Sequence, residues 1–156
     1  MICSYKDIPS LRKTLSGKKI VFVSGCFDII HPGHIEFLEK AASLGDVLVV
    51  GVLADAYIQT KKKRQAVYSQ KQRAQIVQSL KPVTCVVLTP YKKGAYPSLA
   101  ILQTLRPNIF FRQEKEHAYL PLQDELNKLG ITLKALSMKK VHSTTKTIQK
   151  VLRMVL

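Results

Sequence analysis

Cysteines are few in this sequence and badly placed for cross-linking. Cys3, Cys26 and Cys85 form an odd, scattered set with no CxxC pair, which excludes a disulfide framework or a zinc ribbon and leaves three free thiols. Long apolar runs are missing too. The longest, residues 47–54, includes Gly51 and falls far short of the ~20 residues that span a bilayer. The opening MICSYKDIPSLRK lacks the apolar core of a secretory signal, so the expectation is a cytoplasmic protein with no membrane partner. Acidic residues are scarce: 10 Asp and Glu stand against 25 Lys and Arg, a net charge of +15. Such an excess attracts polyanions, whether nucleoside triphosphates, sugar phosphates or nucleic acid, and its sign does not choose among them. Internal repeats, low-complexity tracts and linkers rich in Pro, Gly or Ser are absent, so the 156 residues, 46% of them hydrophobic, read as one domain, 1–156, with a single buried core.

What is present alternates strand and helix almost throughout. Apolar runs at residues 19–24, 47–53, 83–88, 109–111 and 132–136 predict five strands, with helical periods between them. That alternation is the pattern of a parallel sheet covered by helices on both faces, an α/β fold. Ser69 and Gln72 form a capping box ahead of Arg73, Ile76, Val77 and Leu80. Leu122, Leu126 and Leu129 repeat before Gly130, and Ile148, Val151, Leu152 and Val155 repeat near the end, so each helix is expected to bury one face. YKKGAYP, residues 91–97, reads as an exposed loop.

The most telling stretch is Gly25, Cys26, Phe27, Asp28, Ile29, Ile30, His31, Pro32, Gly33, His34. It joins the first long apolar run to a helical period of Ile35, Leu38 and Ala42 that Gly45 stops. In a parallel sheet, ligands bind where strands end, and the following helix presents unpaired N–H groups and a positive dipole end there. Phosphate suits such a place. Taken alone, His31 and His34 are more often polar residues at a helix start than catalysts. HxxH spacing also suits a metal, but zinc needs further ligands and no clustered Cys, Asp or Glu accompanies the pair. Pro32 favours the first helical turn and Gly33 permits close approach of a ligand, so the spacing lets two imidazoles converge on phosphate.

GCFDIIHPGH resembles the HxGH signature of the cytidylyltransferase-like nucleotidyltransferases. HIEFLEKAASLGDVLVVGVLAD is similar to that family's first helix and second strand, QRAQIV to its arginine-bearing helix, and HSTTK to the Ser-Thr-Thr turn near its carboxyl end. Within the family, residues 17–55 and the STTK segment most resemble bacterial heptose 1-phosphate adenylyltransferases, with glycerol-3-phosphate cytidylyltransferases close behind. The resemblance implies a Rossmann-like three-layer α/β/α fold. It also implies transfer of AMP or CMP from ATP or CTP to a phosphorylated sugar or polyol, with Mg²⁺ bridging phosphate oxygens, pyrophosphate leaving and no protein side chain as nucleophile. Relatives often pair as homodimers through their sheet-side surfaces.

The same resemblance assigns roles. His31 and His34 donate to the α- and β-phosphates, and Lys62 and Arg73 complete the catalytic set. Gly25, Cys26, Phe27, Asp28, Gly33, Lys61, Lys63 and Arg112 contact the nucleotide, and Ser143, Thr144 and Thr145 hold the β- and γ-phosphates. No side chains are expected to form a dedicated metal site. Each residue has a plainer explanation beside this one. The run Lys61, Lys62, Lys63, Arg64 reads equally as a solvated loop, and the residues do not say which lysine matters. Arg73 reads as helix surface, Asp28 as a hydrogen bond to the turn, and Ser143 to Thr145 as an N-cap.

Departures from the family pattern bear on the base. Where relatives carry a glycine-rich segment ending in aspartate, this chain reads Phe111, Arg112, Gln113, Glu114, Lys115, so a preference for ATP or CTP does not carry over. The arginine many cytidylyltransferases place before the Ser-Thr-Thr turn is replaced by the region of Met138, Lys139 and Lys140. A second function class follows: a relative without turnover that binds polyanions, RNA among them, through its basic run. Nucleic acid is the less favoured partner, because basic readers of RNA interleave aromatics for stacking and residues 61–64 contain none.

Overall fold

The computed structural model describes residues 1–113, 122–137 and 144–155. Six strands, β1 (Ile2–Cys3), β2 (Ile20–Gly25), β3 (Val47–Val52), β4 (Cys85–Leu88), β5 (Ile109–Gln113) and β6 (Thr132–Leu136), form one sheet in the order β1-β4-β3-β2-β5-β6. Every pairing is parallel. The helices are α1 (Ile8–Thr14), α2 (Pro32–Ala42), α3 (Asp55–Lys62), α4 (Gln70–Gln78), α5 (Leu99–Leu105), α6 (Gln123–Lys128) and α7 (Thr144–Val155).

Five of these strands were expected and the sixth, β1, was not. Two residues carry no periodicity to read, and β1 exists only because Ile2 and Cys3 find Val86 and Val87 beside them on β4. The expected three layers are present. Ile8, Leu11, Ile101, Leu102, Leu105 and Leu126 of α1, α5 and α6 cover one face, where Phe22 and Phe110 stack at 5.8 Å. Phe37, Leu38, Ala41, Ala74 and Val77 of α2 and α4 cover the other, where Phe37 and Phe111 stack at 5.1 Å. The capping box forms as read: the Ser69 hydroxyl accepts from Gln72 N–H and the Gln72 side chain accepts from Ser69 N–H at 3.0 Å.

Two expectations fail. α7 buries none of its residues, and Val151, Leu152, Met154 and Val155 of its apolar stripe are exposed, so the rule that each helix buries one face does not hold there. Periodicity shows that a face is apolar without showing what it meets. Residues 61 and 62 belong to the last turn of α3 and Lys63 is its cap, in the left-handed region at φ 53°, so the basic run begins as helix and not as loop.

The topology puts an opening beside β2. The chain leaves β2 for β3 on one side and later returns to β5 on the other, which makes the carboxyl end of β2 the switch point of the sheet. β2 pairs with β3 from Ile20 through Gly25, yet with β5 only at Val21 and Phe22. The strands therefore part toward their carboxyl ends. At the other end Gly45 fixes the register: Asp46 N–H donates to the Lys19 carbonyl at 2.8 Å, and a Cβ on Gly45 would stand 2.6 Å from that oxygen. Among the described residues no helix is long and apolar enough to cross a membrane.

Candidate active site at the end of the second strand

The turn from β2 to α2 is tight because its residues allow nothing looser. Phe27 lies in the left-handed region at φ 47°, an uncommon place for a bulky side chain, and its ring packs back over Gly25, where a Cβ would come within 2.9 Å. That ring is buried and meets His34 at 5.2 Å. His31 is the N-cap of α2 in extended conformation; its carbonyl accepts from His34 N–H at 2.8 Å, and its side chain does not cap the helix. Pro32 occupies the first turn, where a missing N–H costs nothing. Gly33 leaves the His31 ring room, since a Cβ there would stand 3.3 Å from it.

The outcome is a stacked pair of imidazoles, 3.7 Å between centroids and 16° between planes. Two positive rings that close would repel. Burial first, and the neighbouring His31 second, hold His34 down from its ordinary value to about 4, against an upward pull from the Ile29 backbone. His34 is thus neutral at pH 7, and its Nδ1 is buried with no hydrogen-bond partner among the described residues. The α2 N-terminus adds its unpaired N–H groups and dipole at the same point.

Arg73 and Asp28 hold this turn, and neither stands open to solvent. Arg73 is fully buried; its Nε donates to the Tyr68 carbonyl at 3.0 Å, one terminal nitrogen donates to the Cys26 carbonyl, and the other donates to the Leu53 carbonyl and Asp55, each at 2.7 Å. Expected as a triphosphate contact, the guanidinium instead ties the ends of β2 and β3 to α4. Asp28, 1% exposed, accepts from Arg64 at 2.5 Å through one oxygen and from Val67 N–H at 2.9 Å and Tyr68 N–H at 3.3 Å through the other. These bonds go to the link between α3 and α4 and not to the turn that carries Asp28 itself.

Cys26, half-buried, registers the charge around the turn. Burial lifts its thiol above the usual value, and Lys62, then Arg73 and Arg64, pull it back, while Asp28 adds to the lift. All three lysines are exposed, and Lys62 is the one whose charge pulls on this thiol. Arg112 sits at the carboxyl end of β5, where the strands part, donating to Ser24 Oγ at 2.8 Å and lying 5.2 Å from the centre of the Phe110 ring. Ser98 also bonds Ser24 Oγ, at 2.7 Å. Thr144 opens α7 and donates to the Ile29 carbonyl at a long 3.5 Å, so that helix begins against the histidine turn; Thr145 is exposed beside it. Ser143 lies outside the described residues, as do Glu114, Lys115 and residues 138–140.

Three participants were not singled out from sequence: Arg64, Asp55 and the Ser24–Ser98 pair. Asp55 had a local signal, an acid in the first turn of a helix straight after a strand. Arg64 was hidden inside a charge run, and the serines carry no signal at all.

These residues do not fit a protein-held Mg²⁺. Both carboxylates of the turn are engaged, Asp28 by three donors and Asp55 by Arg73, and among the described residues no three His, Cys, Asp or Glu side chains gather as metal ligands. What gathers at this turn is instead an uncharged His34 ring and the first N–H groups of α2, with Lys62 near enough for its charge to act on Cys26.

The family model described as cytidylyltransferase-like matches residues 22–150. The bifunctional protein HldE of Aliarcobacter butzleri is 33% identical over 161 residues, covering 96% of this chain and 31% of the relative. That of Geobacter metallireducens is 34% identical over 146 residues, covering 88% and 28%. The chain spans less than a third of the length of these relatives. Among solved structures, a lipopolysaccharide core biosynthesis protein from Thermoplasma volcanium superposes with a TM-score of 0.66 at 29% identity, covering 81% of this chain and all of that one. A pantoate-beta-alanine ligase from Francisella tularensis shares the fold, with a TM-score of 0.63 at 20% identity over 98% of this chain and 79% of its own. A match that begins in β2 and ends in α7, with relatives a third identical over nearly all of the chain, makes this protein a member of the cytidylyltransferase-like family.

Proposed function

We propose that this chain transfers AMP or CMP from ATP or CTP to a phosphorylated sugar, with ATP and a heptose phosphate the leading pair. An acceptor phosphate oxygen bonds to the α-phosphorus as the bond to the β-phosphate oxygen breaks, and pyrophosphate leaves with the electron pair. No side chain need act as nucleophile. Charge develops on the α-phosphate oxygens and the leaving oxygen, so catalysis rests on donors already in place and on alignment of two anions.

The observation that carries this reading is the stacked His31–His34 pair at the α2 N-terminus, beside the switch point of the sheet. An uncharged His34 has a single ring N–H to offer, and turning it toward an α-phosphate whose charge rises in the transition state favours that state over the ground state. Lys62 supplies the positive charge toward the outer phosphates, and Thr144 adds a hydroxyl from the start of α7. Arg73 positions the turn and does not touch the nucleotide. A divalent ion, in this proposal, comes with the triphosphate and is held by its oxygens and water.

Pyrophosphate release tests the proposal, with ATP and CTP each offered against a panel of sugar phosphates. Release with ATP and a heptose phosphate, reduced at least about a hundredfold in kcat by His34→Ala, is the expected result. Full turnover in His34→Ala removes the histidines from the mechanism, and no release with any pair rejects the proposal.

A further inference from the structure

We propose that Arg64 is a positioning residue for the phosphate site, acting through Asp28 and not by contact with substrate. The inference rests on the nucleotidyl-transfer reading for its kinetic half and on geometry alone for the rest.

Lys63 ends α3 in the left-handed region, and the chain then turns so that Arg64 points inward, away from the exposed lysines before it. Its guanidinium donates to Asp28 at 2.5 Å and to the Gln65 carbonyl at 2.8 Å. Asp28 in turn accepts from Val67 and Tyr68, so one buried carboxylate holds the link between α3 and α4 at three points. Tyr68 passes the connection on through its carbonyl to Arg73, which reaches the Cys26 carbonyl. The contacts close a ring: the turn at Cys26 to Asp28, the link at Arg64 to Tyr68, then Arg73, then Cys26 again.

Phe27 sits inside that ring with its strained backbone. A bulky residue stays in the left-handed region only where its surroundings enforce it, and here they are these bonds. Arg64 also joins the ring directly to the last turn of α3, the turn that carries Lys62. One ion pair therefore ties the histidine turn to the end of α3 that carries Lys62.

A direct phosphate contact by Arg64, with Asp28 as a mere counter-ion, makes different predictions. Arg64→Met, Asp28→Asn and the double variant separate them, through kcat and KM for ATP and through labelling of Cys26 by an aromatic disulfide reagent in nucleotide-free protein. Cys3 and Cys85 are buried and react slowly. We expect each single variant to raise KM about tenfold with a smaller fall in kcat, and the double to be no worse than the poorer single. Cys26 should label several-fold faster in Arg64→Met. Losing that cation removes a downward pull on the thiol, so faster labelling reports opening of the turn and not greater acidity. Single-variant losses that multiply in the double, or unchanged labelling in Arg64→Met beside a raised KM, overturn the inference. Arg64 is 27% exposed and its variant should fold even where Asp28→Asn does not. If wild-type protein shows no turnover, the nucleotidyl-transfer reading fails, while Cys26 labelling still decides the tie.

Discussion

Acidification should destabilise this protein through His34 by roughly 2 to 3 kcal/mol between about pH 7.5 and about pH 4.5. The imidazole is held at about 4 in the folded chain and returns to its ordinary 6.5 on unfolding. Between those values the unfolded chain binds the extra proton, so stability is complete above about pH 6.5 and declines as pH falls toward about 4. The full difference is worth about 3 kcal/mol, most of it lost by about pH 4.5. Burial is the main cause and the stacked His31 ring the second, so the effect belongs to the geometry of the turn. Urea unfolding of wild type and His34→Gln across this range isolates it, because carboxylates titrate in both proteins and largely cancel. Wild type should lose roughly 2 to 3 kcal/mol more than the variant. Parallel curves would mean that His34 is solvated and protonates normally, and the neutral-donor mechanism would go with it.

Other perturbations test separate parts of the structure. Lys62→Ala should raise the KM for ATP about tenfold, while Lys61→Ala and Lys63→Ala change it less than about twofold; equal effects of all three would return the run to a diffuse charge effect. Arg73→Met should destabilise the fold by about 3–5 kcal/mol in denaturant titration, because the carbonyls of Cys26, Leu53 and Tyr68 lose their donor together; a loss under about 1 kcal/mol would show the guanidinium is not buried as described. Gly45→Ala should cost about 1–3 kcal/mol at unchanged m-value, since its Cβ meets backbone and cannot be relieved by a rotamer change.

Local chemistry made much of this molecule legible. β-branched runs marked the five longer strands, and the Ser69–Gln72 pair announced α4. The histidine decamer fell where a strand gives way to a helix. What escaped depends on partners far away in the chain. β1 is a strand only through β4. Arg73 looked like helix surface because its acceptors, Tyr68, Cys26, Leu53 and Asp55, come from separate segments that only folding brings together. α3 was obscured by its own lysines, which read as a mobile run until the left-handed cap at Lys63 shows where the helix stops. The stripe of α7 was correctly seen as apolar, but amphipathicity fixes a face and not its neighbour.

The charge balance of the turn explains how so basic a chain can keep an ordered anion site. Arg64 and Arg73 point inward, and each is matched by a carboxylate, Asp28 and Asp55. Buried cations left unmatched would repel one another and would have to be displaced or compensated whenever a ligand arrived. Pairing them makes them part of the scaffold. In the proposed function, the attraction left over for an anion then comes from Lys62 and from the α2 N-terminus, with His34 adding no charge. Such an arrangement is already oriented before a phosphate enters, so little reorganisation is needed during the reaction. It also separates two uses of positive charge that composition alone merges: arginines that hold the turn in shape, and, in the proposed function, a lysine that meets the substrate.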